Sequence, residues 1–164
     1  MFRNMRRFKQ QLPQEEAEQI LLSASSGVLA LLGDDGYPYA VPLSYVYQDG
    51  RLYFHSAVEG HKIDAIRSCD RASFCVVAAD DVIPARLTTQ FRSVIAFGRV
   101  RLVEDEEEKL AAIRLIARRY APGMTQQGEE EIRGSWNRMH LIALEIEHMT
   151  GKEARELMES RGRA

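Results

Sequence analysis

Cysteine is scarce in this chain: there are two among 164 residues, Cys69 and Cys75. A disulfide framework and a thiolate zinc centre are therefore excluded as organising devices. Both thiols lie in or beside apolar runs and are expected to be buried. Long hydrophobic runs are missing too, and nothing approaches the roughly 18 residues that a membrane span needs. The opening "MFRNMRRFKQ" is basic and lacks the apolar stretch of a secretion signal. A cytoplasmic, reducing location is the expectation, with the basic arm solvated or held against another subunit. Charge of one sign is also lacking, since 22 basic side chains face 24 acidic ones for a net −2. General affinity for nucleic acid or anionic membrane has no basis, and no helix-turn-helix pattern is present. Nor is there a Walker loop, a Gly-x-Gly-x-x-Gly, an HExxH or a Ser-His-Asp order. The acidic run Glu104 to Glu108 reads as a helix start, and no metal site is assigned.

What is present suffices for one core. At 45% hydrophobic residues, a chain of this length makes a single domain over 1–164. Apolar residues at 17, 20, 21 and 24 predict a helix over 14–25, opened by Pro13 and Glu15-Glu16. "VLALL" reads as a buried strand and "GDDG" as a hairpin turn. Two strands follow, 39–47 and 51–57, joined at Gln48-Asp49-Gly50. Pro42 inside the first cannot donate to a ladder, which puts it at an edge or bulge with backbone groups free for another partner.

A short helix is expected over 60–68, a strand over 72–79 and a linker through "DDVIPAR". Residues 87–103 form one long strand, or two with a bend at Gly98. "DEEEKLAAIRLIARRY", 105–120, is acidic at its start, basic at its end and apolar at 110, 113, 116 and 117, hence a helix. A second short helix falls within 121–135. "LIALEIEHM" alternates as a strand, and "TGKEARELM" reads as a closing helix. Strands outnumber helices and the helices are peripheral. The fold class is mainly β: an antiparallel barrel of at least six strands with peripheral helices, not a parallel doubly wound sheet.

Chemistry concentrates in "YFHSAVEGHKIDAI", residues 53–66. Alternation puts Leu52 and Phe54 on one face and Tyr53 and His55 on the other. Ser56 and Ala57 end the strand. Gly60, His61 and Lys62 then occupy a helix N-terminus, where unpaired N–H groups and the positive end of the helix dipole favour a phosphate. A bland helix start with a solvated Lys62 fits the same residues. In "TTQFRSVIAFG", Thr89, Phe91 and Ser93 share one face and Arg92 the other, at a barrel rim or a binding strand. Trp136 follows a polar loop, as core or as a partner-facing anchor.

The stretches "GVLALLGDDGYPYAVPLSYVY", "LYFHSAVEGHKIDAIRS", "TTQFRSVIAFGRV" and "TGKEA" together resemble the NimA-type 5-nitroimidazole reductases. These are relatives of the pyridoxamine 5'-phosphate oxidases with flavin-binding split barrels. The resemblance spans nearly the whole chain. It implies a six-stranded split β-barrel and a homodimer with FMN at the subunit interface, each site using both chains. It implies that Lys62, helped by His61, holds the FMN phosphate, and that His55, Ser56 and Ala57 line the cofactor. It also implies that Pro42, Leu43, Ser44 and Tyr45 run along the isoalloxazine ring, and that Arg92 and Ser93 touch the flavin. Trp136 would belong to the partner chain's wall. His55 is the implied catalytic residue, donating a proton or orienting the substrate. Tyr45 and Phe91 are candidate apolar walls.

Two departures stand out. The oxidases carry glutamine where Ser93 stands, and their basic residues for pyridoxal phosphate are not found near the C-terminus. Vitamin B6 oxidation is therefore not the leading reading. The expected function is FMN-dependent reduction of a small nitroaromatic or similar planar acceptor. The alternative is a protein that binds flavin, haem or a deazaflavin without turnover.

Overall fold

The computed structural model describes residues 1–162. In chain order the elements are α1 (Gln14–Ser23), β1 (Ser26–Leu32), β2 (Pro38–Ser44), β3 (Val46–Gln48), β4 (Arg51–Ala57), α2 (His61–Ser68) and β5 (Arg71–Ile83). They continue with β6 (Thr88–Leu102), α3 (Glu106–Tyr120), α4 (Thr125–Ser135), β7 (Met139–Glu153) and α5 (Arg155–Ser160). All strand pairs are antiparallel, in one sheet ordered β2-β1-β5-β6-β7-β4-β3.

This order carries the architecture. β2 and β3 occupy opposite edges of the sheet, yet only Tyr45 separates them in the chain. The sheet must therefore roll until its edges approach, without a ladder closing them: a split barrel. Seven strands replace the expected six because the run 39–47 breaks at Tyr45. That residue is fully buried, and its phenol donates to the Leu21 carbonyl (2.7 Å). Its backbone N–H donates to Tyr120 Oη (3.0 Å). The Tyr120 hydroxyl lies 2.7 Å from the Tyr45 carbonyl and 2.5 Å from that of Ser25. The C-terminus of α3 thus pins the junction between the two edges.

Alternation sorts the strands onto two faces. Leu29, Leu52, Phe54, Phe74, Val76, Val94, Ile142 and Leu144 fill the barrel, with α1 and α2 packed on it. Burying one such side chain contributes about 1.5–3 kcal/mol. Tyr53, Leu141 and Ala143 point outward, and α3 and α4 cover them with Ile113, Ile116 and Ile132. Asp105 caps α3 by accepting from the Glu108 N–H (2.7 Å).

The Asp49-Gly50 hairpin forms as expected, with φ of 48° and 78° at its two central residues. Gly98 lies within one continuous strand where the register to β7 shifts. A Cβ there would sit 1.8 Å from the Glu145 carbonyl oxygen, so only glycine admits β7 so closely.

Three expectations are corrected. The "DDVI" of the supposed linker belongs to β5, paired with β6 as far as Ile83–Thr88. Thr150 to Glu153 continue β7 instead of starting a helix, because β6 offers them partners from Arg92 to Ile95. Cys69 and Cys75 are half-buried, and burial raises the Cys75 thiol above its ordinary pKa.

Candidate functional site

The site begins where β4 stops pairing. Ala57 is the last residue of β4 opposite β7, facing Met139. Gly60 then adopts φ 114°, a conformation that a side chain would strain, and has open space where a Cβ would stand. It turns the chain into α2. No side chain caps that helix. The first amides engaged are those of Ile63 and Asp64, both bonded to the Gly60 carbonyl (2.8 and 3.2 Å). The His61 and Lys62 amides face out from a positive helix end.

Tyr39, His55, Ser56, Ala57, Glu59, Gly60, His61 and Lys62 line one cavity of about 340 Å³ at this point. Lys62 is half-buried and forms no ion pair among the described residues. Burial without a counter-ion lowers its pKa below the ordinary lysine value. His61 is held differently. The Tyr39 ring stacks on it at 4.1 Å between centroids, and its Nε2 lies 3.7 Å from Asp34 Oδ2. A half-buried cation with no anion, two free amides and an unfilled space suit a phosphate.

His55 is exposed, on the outward face of β4 beside Tyr53, and Ser56 turns into the barrel wall. Opposite Ser56 lies His140. Burial first, then the charges of Arg67 and Lys109, hold its imidazole below the usual pKa and so neutral at pH 7.

Of the other predicted residues, Pro42, Leu43 and Ser44 lie on β2, whose outer edge has no strand partner among the described residues. Leu43 packs inward, while Pro42 and Ser44 face out. Tyr45 does not wall a pocket: its ring is core, and both its backbone groups engage Tyr120. Arg92 is also engaged. Its Nη2 donates to Glu153 Oε2 at 3.1 Å, and Arg161 bonds the same oxygen. Glu153 is 1% exposed. Ser93 faces outward on β6 opposite Lys152, whereas Ala57 faces Met139, so the two stand at opposite ends of β7 within one chain. Phe91 lies under the Lys152 ammonium, 5.1 Å from the ring centre. Trp136 packs in the α3–α4 core, with Lys109 Nζ 4.3 Å over its ring.

The structure therefore gathers His55, Ser56, Ala57, His61 and Lys62, and leaves Arg92, Ser93 and Trp136 elsewhere in the chain. Tyr39 joins them unforeseen; its place in an alternating strand gave no hint of the stack on His61. A second, larger cavity was also unforeseen, because it arises where α3 and α4 pack against the end of β4. It measures about 700 Å³ and shares His55, Ser56 and Ala57 with the first.

The sequence profile of the pyridoxamine 5'-phosphate oxidase family matches residues 13–153. The chain belongs to this family. Its fold recurs in a proposed 5-nitroimidazole antibiotic resistance protein from Bacteroides thetaiotaomicron, at 25% identity and TM-score 0.73 over 87% of this chain and 86% of that one. It recurs in a FAD-binding protein from Mesorhizobium loti, at 25% identity and TM-score 0.61 over 88% and 96%. A conserved hypothetical protein from Mycobacterium tuberculosis shares the fold at 20% identity and TM-score 0.80 over 94% and 92%. Among curated proteins no significant match exists.

Proposed function

We propose that this chain is a flavin-dependent oxidoreductase that reduces a small planar acceptor of the nitroaromatic kind. The observation that carries this reading is Lys62: a half-buried ammonium without a counter-ion, at the uncapped start of α2, beside the open end of β4. FMN, alone or as the flavin half of a dinucleotide, has the phosphate that this notch lacks. The family supports a flavin, as do relatives named for FAD binding and nitroimidazole resistance.

When bound, a flavin stores two electrons and passes them to an acceptor stacked on its ring. The protein's share is positional. Lys62 and the His61 and Lys62 amides hold the phosphate, and Tyr39 keeps the His61 ring in place. The unpaired edge of β2, with Pro42 and Ser44, offers backbone groups to the ring's polar rim. His55 lines both cavities, where its imidazole can give a proton to the reduced acceptor.

The working unit is a homodimer. Val28, Leu32, Val77, Ile95 and Phe97 expose apolar side chains on the outer face of β1, β5 and β6, and Val28, Cys75 and Ile95 fall in one row across it. Such a face suits a second copy, which would bring its own Ser93 toward the flavin. Two free cysteines agree with a cytoplasmic setting. No helix among the described residues is long and apolar enough to cross a membrane.

The test is anaerobic. Flavin-loaded protein is photoreduced and mixed with a 5-nitroimidazole, and reoxidation is followed in the flavin absorbance. Reoxidation in step with nitro-group loss is expected. Flavin that binds but stays reduced would leave the non-catalytic binding reading in its place, and failure to take up flavin would reject both.

A further inference from the structure

We infer that the basic N-terminal arm and α5 enclose a second binding site, which takes a nucleoside diphosphate. It lies at the other end of β7 from the Lys62 notch and does not depend on the flavin reading.

The arm is tied down where it turns basic. Phe8–Gln10 form a single 3-10 turn, with the Gln10 N–H donating to the Arg7 carbonyl (2.9 Å). Directly after it Gln11 bridges to Lys152, and the Leu12 N–H donates to the Gly151 carbonyl (2.9 Å). Leu12 is buried there, so close that a Cβ on Gly151 would lie 2.9 Å from its own. α5 leaves the same strand end through Ala154, whose N–H donates to the Phe91 carbonyl (2.8 Å). Turn and helix thus hang from one end of β7, and they line a cavity of about 730 Å³. That lies within the roughly 300–1,000 Å³ of typical small-molecule sites. The Lys62 notch adjoins Ala57, which pairs with Met139 at the opposite end of β7.

Charge selects the ligand. Arg6, Arg7 and Lys9 line the cavity, and none of them forms an ion pair among the described residues. The one carboxylate of the lining is Glu159, and Arg155 already holds it (Nε to Oε1, 2.7 Å). Three cations without an anion around one hollow suit a diphosphate, whose oxygens the guanidinium forks can grip in pairs. Exposed cations alone would be a solvated arm, but two further features stand beside them. Phe8 is 68% exposed at the cavity and stacks on no other ring among the described residues. Its free face suits a flat heterocycle, and Met158 of α5 adds an adaptable apolar side chain. Gln10 also borders the cavity, and its side-chain oxygen is buried without a donor. A turn of that side chain would offer the amide to a ribose hydroxyl or a base amine. A bare inorganic anion would use neither the ring nor the amide.

The experiment is a calorimetric titration of the full chain with ADP, adenosine and pyrophosphate, with and without FMN. ADP should saturate one site per chain and bind about tenfold or more tightly than either half. Arg6→Ala, Arg7→Ala and Lys9→Ala should each weaken ADP about tenfold. Phe8→Ala should weaken ADP about tenfold and leave pyrophosphate unchanged. Arg3→Ala is the control: it removes a cation of the same arm that does not line the cavity, and ADP affinity should not move. Circular dichroism and a melting curve check each fold. Added FMN and Lys62→Ala should also leave ADP affinity unchanged. Absence of saturable ADP binding would overturn the inference. So would an Arg3→Ala loss equal to that of Arg7→Ala, the mark of general attraction to a basic arm. If pyrophosphate binds as tightly as ADP and Phe8→Ala changes neither, the cavity is a bare anion site and the nucleoside is wrong. If FMN displaces ADP, the ADP sits in the Lys62 notch; the second site is then wrong and the flavin reading stands. If ADP binds as expected and no flavin does, the second site stands and the flavin reading falls.

Discussion

Lys62 at the start of α2 and Arg92 on the barrel wall are both cations, and both resemble flavin contacts, yet the fold treats them in opposite ways. Arg92 meets Glu153, a carboxylate 1% exposed that also takes Arg161. That charge is spent inside the chain. Lys62 has no such partner, and burial lowers its pKa. A protein rarely leaves a half-buried cation uncompensated unless something else supplies the anion. The contrast separates a cation that holds the fold from one that, in the function proposed above, binds a ligand.

The sharpest break of that contrast is at Glu153. Glu153→Ala leaves two arginines around a buried hole and should cost about 3–5 kcal/mol of stability. Urea unfolding reads the loss, while flavin bound per folded molecule should be unchanged. Lys62→Ala should do the reverse. It removes a charge-assisted contact of about 1.5–3 kcal/mol, weakening FMN roughly tenfold to a hundredfold. Melting of the flavin-free protein should not fall, because no partner is orphaned.

Smaller effects test the frame around the two sites. Tyr120→Phe removes the hydroxyl bridging Tyr45 and Ser25 at the edge-to-edge junction, and should cost about 1 kcal/mol in urea unfolding. The smallest effect is in pH. A phosphate favours the charged form of Lys62, so affinity should hold up to the lowered pKa of the free protein and decline as pH rises through it. The decline should begin at lower pH than an ordinary lysine would give, and Lys62→Ala should remove it.

Much of this was readable in the sequence where the signal is local. Asp49-Gly50 announces its turn because both positions need positive φ, and α3 announces itself through acidic and basic ends. The residues from His55 to Lys62 are neighbours in the chain, so their strand–turn–helix passage kept them together. The rest depends on distant partners. The anion that holds Arg92 is 61 residues away. Thr150 to Glu153 look like a helix start until β6 pairs with them, and pairing overrides propensity. The break at Tyr45 lies within an uninterrupted alternation; only the buried junction with Leu21 and Tyr120 shows it. The groove beneath α3 and α4 has no pattern at all, since two helices and a strand end make it jointly.

The central claim is that Lys62 awaits a phosphate. Titrating flavin-free native protein and Lys62→Ala with FMN and with riboflavin, which lacks the phosphate, tests it directly. The native chain should prefer FMN by about tenfold or more, and Lys62→Ala should bind the two alike. Equal affinity for both in the native chain, or a preference that survives the substitution, would contradict the account.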